Sequence, residues 1–334
     1  MTLKDIAAAA GTSVSTVSRV LNQSSPSCAS KELQEKIWQI AMEGGYLPNE
    51  NARSLRKDPA ERGNAVKVAV VLARTRSLKE APFFAELFRC LESELLKQRM
   101  IMQRVYYEDT AMQAQVADCD GVVILGRCSR ELLGIIKRQN RNVVGIWRNP
   151  HDFNVDEVIC DGRKAAETAV GHLILLGHKK IAYIGACSNE QRHIGYLDML
   201  MRNGIPIDYS IIKETDQTAG QARKAFDELM ELEPDRFSAI FCANDVTAIR
   251  VLELIQENKK KLKGRKISVI SIDDIEQAQD TQPYLTTVRI PRREMAHMGV
   301  LLLEDRINGG HEETIRNEFP CRLVVRSSCY EQKS

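Results

Sequence analysis

From residue 66 onward, short apolar runs rich in β-branched residues alternate with amphipathic helical patterns, and this alternation constrains the fold most. The apolar runs occupy 66–72, 100–106, 121–125, 142–147, 180–184, 209–212, 238–242 and 266–272. The helical patterns between them span 82–98, 130–139, 163–176, 191–202, 221–231 and 246–258. Continuously apolar strands alternating with helices predict parallel sheets covered on both faces. The two series predict two similar α/β lobes.

Polar side chains stand at predicted strand ends and helix starts, where a cleft between two such lobes holds a ligand. Arg192 offers a fork of N–H donors, Asp273 is an acceptor, and Asn244 is both. These groups suit the vicinal hydroxyls of a neutral sugar. Aromatic residues, which can stack on a sugar, make up only 5% of the chain. The aromatic candidates near strand ends are Phe83, Phe84 and Trp147.

The first 57 residues differ, because they form short helical patterns separated by tight turns. Apolar spacing predicts helices over 3–10, 14–21 and 30–43, with a glycine turn at Gly11 and caps at Ser13 and Ser30. This order is the helix-turn-helix pattern, although the pattern alone also fits a small cap or protein-docking module. Short polar side chains and an arginine suit a major groove and its phosphates. The candidate DNA contacts are Thr2, Ser13, Val14, Ser15, Thr16, Ser18 and Arg19.

Two N-terminal motifs narrow these alternatives. The chain reads LKDIA from residue 3, GTS from residue 11 and STVSRVLN from residue 15, and then GYLPN from residue 45 and ARSL from residue 52. Together these runs resemble the lactose/galactose repressor family of bacterial transcription factors. Later runs extend the resemblance to the family's sugar-binding region: CDG from residue 160, LGHKKI from 176, RHIGY from 192, CAND from 242 and SIDD from 271. The closing runs LTTV from 285 and LVVRS from 323 complete it.

The resemblance implies roles for single residues. Val14 and Ser15 occupy two base-reading positions at the start of the recognition helix, and Arg19 occupies a third. Leu55 matches the leucine of the family's hinge helix, an apolar wedge that enters the minor groove and bends the DNA. The residues flanking it, which can contact phosphates or the groove floor, are Asn51, Arg53 and Arg56.

The resemblance also implies the ligand contacts. Arg192, Asn244 and Asp273 match the family's principal contacts, and Asp161 is a fourth. Phe83 and Phe84 stand where relatives place cleft aromatics or prolines. Near 215–217, where some relatives carry a cleft aromatic, this chain has none, which argues against a lactose-like binding mode.

The predicted architecture is therefore α/β: an all-α helix-turn-helix domain with a hinge helix, then two periplasmic-binding-protein-like lobes of doubly wound parallel sheet around a cleft. We expect the DNA-binding domain at 1–57, with its hinge helix at about 49–57, and a linker at 58–65. An effector-binding and dimerisation domain follows at 66–334. Its first lobe is expected at about 66–157 and 286–313, and its second at about 158–285 and 314–334.

Charge and motifs exclude several other classes. The net charge is +2, so any nucleic-acid surface must be local. The nine cysteines are scattered without a Cys-x-x-Cys pair, which argues against a disulfide framework or zinc site. No run approaches a membrane span, and the opening residues do not form a signal peptide. Nucleotide-binding and metalloprotease motifs are absent from the sequence. We therefore expect a cytoplasmic protein with no catalytic residues, cofactor, metal or membrane partner.

The sequence thus predicts a homodimeric transcriptional repressor of carbohydrate-utilisation genes, released from a near-palindromic DNA operator by a monosaccharide or disaccharide. Three alternatives stay open. The first is a regulator that uses a nonsugar corepressor such as a purine. The others are a periplasmic-type sugar-binding protein and a sugar-processing enzyme.

Overall fold

The computed structural model describes residues 3–21, 29–43, 65–147 and 154–332, except for a few side chains in the N-terminal helices. The chain divides into two compact units, Met1–Ala65 and Val66–Ser334. Within the described residues, no helix is both long enough and apolar enough to span a membrane.

The N-terminal unit contains three helices: α1 (Leu3–Ala10), α2 (Val14–Leu21) and α3 (Lys31–Glu43). They share one small core, because each helix turns an apolar face inward at helical spacing. The fully buried members of this core include Ile6, Val17 and Ile37. The predicted cap of α3 is confirmed, since the Ser30 Oγ accepts a hydrogen bond from the Leu33 N–H at 3.3 Å.

The C-terminal unit contains two six-stranded sheets. The first has the order β11-β5-β4-β3-β1-β2, and all its strands are parallel. Its strands are β1 (Lys67–Leu72), β2 (Ile101–Tyr106), β3 (Gly121–Leu125), β4 (Val143–Ile146), β5 (Asp156–Ile159) and β11 (Arg316–Glu318).

The second sheet has the order β12-β10-β9-β8-β6-β7, in which only β12 runs antiparallel to its neighbour. Its strands are β6 (Ile181–Gly185), β7 (Ile212–Glu214), β8 (Ala239–Cys242), β9 (Ser268–Asp273), β10 (Thr286–Arg289) and β12 (Arg322–Val324). The central strands of both sheets are buried along their whole length, as their continuous apolar runs require.

Helices cover both sheets. The first lobe has α4 (Pro82–Lys97), α5 (Arg130–Gln139) and α11 (Arg292–Ile307). The second lobe has α6 (Gly162–Leu175), α7 (Gln191–Arg202), α8 (Ala219–Met230), α9 (Asp245–Glu257) and the short α10 (Lys259–Leu262). The predicted α/β architecture is confirmed.

Three segments connect the lobes, and they correct the predicted lobe boundaries. The chain crosses after β5, at 160–161, then after β10, at 290–291, and again between β11 and β12, at 319–321. The expected first lobe wrongly included 286–289, because β10 pairs with β9 in the second sheet. The expected second lobe wrongly included 158–159 and 316–318, because β5 and β11 pair in the first sheet.

Candidate functional site

Ser13 organises the start of α2. Its Oγ accepts a hydrogen bond from the Thr16 N–H at 3.1 Å and lies 2.7 Å from the Ser15 Oγ. The predicted cap is therefore confirmed. Gly11, in the preceding turn, has φ +72°, a conformation that glycine adopts without the steric cost of a side chain. This turn lets α2 begin directly after α1.

The outer face of α2 is open to solvent. Val14 is 40% exposed although it is apolar, while Val17 on the inner face is fully buried. The solvent face carries Val14, Ser15, the half-buried Thr16, and Arg19. A row of small side chains beside one arginine can approach a major groove closely. The other predicted DNA contacts lie outside the described residues or side chains: Thr2, Ser18, Asn51, Arg53, Leu55 and Arg56.

A buried ion pair opens α7 in the second lobe. The Glu190 Oε1 accepts a hydrogen bond from the Arg192 Nε at 2.8 Å, and Oε2 accepts one from Nη2 at 3.0 Å. The two side chains are only 14% and 12% exposed. Burial opposes ionisation of Glu190, but the guanidinium outweighs burial and holds the pKa of this carboxyl at about 2. Arg192 is therefore locked in one orientation.

The remaining donors of Arg192 join two neighbouring loops. Its Nη1 donates to the Ala243 carbonyl oxygen at 2.8 Å, and its Nη2 donates to the Gln217 Oε1 at 3.0 Å. The Asn244 Nδ2 donates to the Gln217 carbonyl oxygen at 3.1 Å, and the Asn244 Oδ1 caps α9 through the Thr247 N–H. Arg192 and Asn244 thus meet around Gln217. Each keeps one N–H that these bonds do not use.

Gln217 is held in an unusual state. Its backbone has φ +66°, in the left-handed region that is costly for a side chain. Its side-chain Nε2 is buried, and no hydrogen-bond partner for it exists among the described residues. A buried amide without a partner costs free energy, so this nitrogen is a candidate donor to a ligand.

Asp273 ends β9 as a buried acid. It is 6% exposed, and no hydrogen bond to its carboxylate is found within the described part of the chain. Burial and the charge of Asp245 raise its pKa well above the usual range, although Arg192 and Arg292 oppose this shift. Its backbone φ of +130° is also unfavourable for a residue with a side chain. Backbone strain and a strongly shifted pKa together are typical of a functional contact.

Asp161 lies beside the same cluster. Its Oδ1 accepts hydrogen bonds from the N–H groups of Arg163 at 2.8 Å and Lys164 at 3.4 Å, so it caps α6. A Cβ placed on Gly162 would stand 3.5 Å from the Arg192 Cγ, which puts the start of α6 against Arg192. The structure thus brings the four predicted polar residues of the second lobe to one place.

The three predicted aromatic residues form one cluster in the first lobe. The Phe83 ring centroid lies 5.4 Å from that of Phe84 and 5.3 Å from that of Trp147. Phe84 packs over Gly126, where a Cβ would approach its ring to 2.9 Å. Phe83 is only 7% exposed, whereas Phe84 and Trp147 are half-buried. The latter two therefore retain ring surface for a ligand, and Phe83 supports them.

Arg292 connects the aromatic cluster of the first lobe to the end of β9 in the second lobe. Its guanidinium carbon lies 5.5 Å from the Phe83 ring centroid, and its Nη2 contacts the Glu86 Oε2 at 2.7 Å. The same guanidinium donates to the backbone oxygens of Asp273 and Asp274. Because Arg292 and Glu86 belong to the first lobe, this network connects the two lobes at the site.

The acids next to the candidate contacts have structural roles. Asp245 accepts hydrogen bonds from the hydroxyls of Ser271 and Thr287, both at 2.6 Å. Asp274 pairs with Arg289 and Arg326, both at 2.6 Å. Their carboxylates are satisfied within the protein, unlike that of Asp273.

Four contributing residues were missed by the sequence reasoning. They are Glu86, Glu190, Gln217 and Arg292. Glu190 had a usable signal, because an acid two residues before a predicted ligand arginine stands at the helix cap. Gln217 had no local signal, since its importance comes from contacts with two other loops.

Comparisons with known proteins point to the same kind of protein for the N-terminal and the C-terminal parts of the chain. A family model described as "Bacterial regulatory proteins, lacI family" matches residues 2–49, and one described as "Periplasmic binding protein-like domain" matches residues 170–329. The chain is 28% identical to the HTH-type transcriptional repressor MelR of Bacillus subtilis, over 98% of this chain and 97% of that protein. It is also 28% identical to the repressor CytR of Escherichia coli, over 98% and 96%.

Among solved structures, the chain is similar to a transcriptional regulator CelR–cellobiose complex, with a TM-score of 0.68 and 25% sequence identity. That match covers 98% of this chain and 99% of the other. These relatives are regulators of transcription and not enzymes.

Proposed function

Because this chain belongs to the LacI family of bacterial transcriptional regulators and is a helix-turn-helix repressor, we propose that a small saccharide bound between its lobes releases it from a DNA operator. The observation that supports a saccharide ligand is the cluster of polar side chains in the second lobe. There, a buried carboxylate without a hydrogen bond, Asp273, stands with partly unused donors on Arg192, Asn244 and Gln217.

The chemistry of this cluster suits hydroxyl groups. A hydroxyl both donates and accepts, so one hydroxyl can satisfy the Asp273 carboxylate while another accepts from Arg192 or Gln217. Glu190 already neutralises Arg192, which favours an uncharged ligand over an anion. Phe84 and Trp147 supply ring surface for the apolar face of a sugar. The structure of the related CelR regulator, which holds cellobiose, supports a saccharide of this size class.

On the DNA side, we assign the solvent face of α2 to the major groove. Val14 and Ser15 read base edges, with Val14 suited to a thymine methyl group, and Arg19 contacts guanine or a phosphate. Leu55 is proposed to enter the minor groove at the centre of the operator. Two chains are required for a near-palindromic site, so the working form is a homodimer.

The proposed switch is a change in lobe geometry. The ligand contacts residues of both lobes, so its binding free energy favours the closed arrangement over the open one. Closure then alters the hinge segment at about 49–57 and lowers operator affinity. By linkage, operator DNA must weaken saccharide binding by the same factor.

The test is fluorescence anisotropy of the full chain on a near-palindromic duplex from upstream of its own gene, at fixed salt because phosphate contacts dominate affinity. A panel of monosaccharides, disaccharides and nucleosides is then added. Tight binding that one saccharide releases supports the proposal. If operator binding is instead strengthened, and only by a nucleoside or another nonsugar, the proposal of saccharide release is replaced by corepression. Absence of specific binding under every condition refutes a DNA-binding function.

Leu55→Ala provides a sharper test of the DNA assignment. The substitution is expected to weaken operator binding more than binding to random duplex, because only the specific complex includes the bent step. Equal losses of affinity for both duplexes would refute the proposed role of Leu55 as a minor-groove wedge.

A further inference from the structure

Two cysteines far apart in sequence meet where the chain crosses between the lobes. Cys160 follows β5 directly and lies in the first connecting segment, while Cys321 lies in the third, directly before β12. Strands β5 and β11 are parallel neighbours, with Glu318 opposite Ile159. The pairing extends beyond β11, because the Phe319 N–H donates to the Ile159 carbonyl oxygen at 2.8 Å. The two segments therefore leave the first sheet side by side.

Both side chains belong to the same part of the core, with Cys160 buried in it and Cys321 packed against it. The two thiols also interact electrostatically, since each alters the pKa of the other. The Cys321 Sγ also lies 3.7 Å from the Thr168 Oγ1 on α6. Because Ile159 pairs with Glu318, Cys160 comes opposite Phe319, and Cys321 follows two residues later in the same connecting segment. Both thiols are free in this structure.

Their environments differ in a way that suits sequential oxidation. Cys160 is fully buried, whereas Cys321 is half-buried and can meet a small oxidant. The interaction with Cys160, helped by the Thr168 hydroxyl, lowers the pKa of Cys321, while the interaction with Cys321 and burial raise the pKa of Cys160. Cys321 is thus the more reactive thiolate and Cys160 the resolving partner.

We propose that Cys160 and Cys321 form a reversible disulfide that fastens two of the three connecting segments and makes the repressor sensitive to peroxide. The Cys321 thiolate attacks one oxygen of hydrogen peroxide, which forms a sulfenic acid and releases hydroxide. The Cys160 sulfur then attacks the sulfenic sulfur, the S–S bond forms, and the second oxygen leaves as water with the proton of Cys160. Two thiols are oxidised, and one peroxide is reduced to two waters.

The expected consequence concerns lobe movement, and this part rests on the proposed function. Rotation of one lobe against the other requires the connecting segments to twist independently. A covalent link between two of them restricts that twist. The oxidised protein should therefore bind operator but respond weakly to its saccharide.

The chemical test uses the full chain, first reduced and then titrated with hydrogen peroxide. Free thiols are blocked, and tryptic peptides are mapped without reduction. The expected product joins peptide 149–163 to peptide 317–322 and is two hydrogen masses lighter than the two peptides together. Cys321→Ser should abolish this product, whereas Cys90→Ser, which replaces another half-buried cysteine, should preserve it. Alkylation of Cys160 at full yield after peroxide treatment would overturn the proposal.

The functional arm measures saccharide-driven operator release in the reduced and oxidised chains. Allosteric coupling is typically about 5- to 150-fold, and oxidation is expected to bring it toward 1. Dithiothreitol should restore the coupling in the oxidised chain, and peroxide should not change the coupling in Cys321→Ser. A linked protein with unchanged release would refute the switch. If neither form binds any operator, the proposed function fails, while the peptide map still decides whether the disulfide forms.

Discussion

The two lobes contribute opposite chemistry to the same site. The first lobe presents an aromatic cluster, formed by Phe83 and Phe84 at the start of α4 and by Trp147 directly after β4. The second lobe presents charged and amide groups at the starts of α6, α7 and α9 and at the end of β9. The first offers apolar surface, and the second offers directed hydrogen bonds.

This difference indicates a division of roles. Hydrogen bonds to buried polar groups discriminate strongly, because a ligand that lacks a matching group leaves them unpaired. Aromatic surface contributes affinity with less discrimination. We therefore expect the second lobe to select the effector and the first lobe to secure it when the lobes close. The following predictions test that division in order of decreasing effect.

Arg192→Ala should remove the effector response. Loss of the hydrogen bonds that the Arg192 guanidinium donates to ligand hydroxyls should cost about 1.5–3 kcal/mol of binding, or about 10- to 160-fold in affinity. The substitution also leaves Glu190 buried without its counter-charge, so the free energy of unfolding should fall by about 3–5 kcal/mol. Titration calorimetry and thermal unfolding measure the two effects.

The matched control is Arg223→Ala, which removes an exposed ion pair with Glu257 in the same lobe. Exposed ion pairs contribute little to stability because water and salt screen them, so both affinity and stability should stay close to wild type. Normal effector affinity in Arg192→Ala would place the binding site elsewhere.

Asp273→Asn should weaken effector binding but stabilise the free protein. The charged hydrogen bonds to hydroxyls are worth about 1.5–3 kcal/mol, or about 10- to 160-fold in affinity. Burial raises the pKa of Asp273 in the folded state, so its carboxyl costs stability as pH rises from about 4 through that pKa. The stabilisation by asparagine should therefore grow over the same pH range. Calorimetry and unfolding curves at several pH values test this.

Asp274→Asn is the neighbouring control. Asp274 is paired with Arg289 and Arg326, so its substitution should lower stability and leave effector affinity unchanged. If Asp273→Asn destabilises the protein in the same way, Asp273 is structural and not a ligand contact.

Phe84→Ala should have a smaller effect on affinity. Loss of an aromatic contact is worth about 0.5–1.5 kcal/mol, which corresponds to about 2- to 12-fold. Phe83→Ala should instead cost about 3–5 kcal/mol of stability because its ring is buried. A larger affinity loss for Phe84→Ala than for Arg192→Ala would reverse the proposed roles of the two lobes.

The smallest effect concerns two histidines with opposite pH responses. In the first lobe, Asp305 and Asp156 raise the pKa of His311, so its stabilisation is present below about pH 6.5 and is lost as pH rises through the folded-state value. In the second lobe, burial lowers the pKa of His178, so its stabilisation is lost as pH falls below about 6.5.

Thermal unfolding from pH 5.5 to 8 separates these responses. The loss of Tm in His311→Gln should shrink as pH rises, while the loss in His178→Gln should grow. Parallel pH profiles for the two variants would contradict the opposite shifts.

Much of the fold was readable from local pattern. The long apolar runs and the amphipathic helices between them predicted β1, β3, β8 and most helices of both lobes with small errors at their ends. Helix α11 of the first lobe and the short α10 of the second were not predicted. The run at 209–212 was only partly correct, because 209–211 forms a 3-10 turn before β7. Strands β5, β10, β11 and β12 were not predicted, since they are three or four residues long and carry polar residues.

The site residues also fall into those that the sequence predicted and those that it did not. Arg192, Asn244 and Asp273 stood at predicted strand ends or helix starts, so their meeting followed from parallel-sheet topology. Asp161 joined them through the same rule. Gln217 required knowledge of two other loops, and its unsatisfied amide is visible only in three dimensions.

Local sequence by itself determined the helix-turn-helix, the alternation of strands and helices, and the polar side chains at the strand ends. Each of these depends on residues within one or two turns of helix or one strand. The tertiary structure decided which short strand joins which sheet, and it put Glu190 against Arg192 within a buried network. It also brought Cys160 beside Cys321, 161 positions later in the chain. Such pairings depend on how distant segments share a core, and that free energy belongs to no single stretch of sequence.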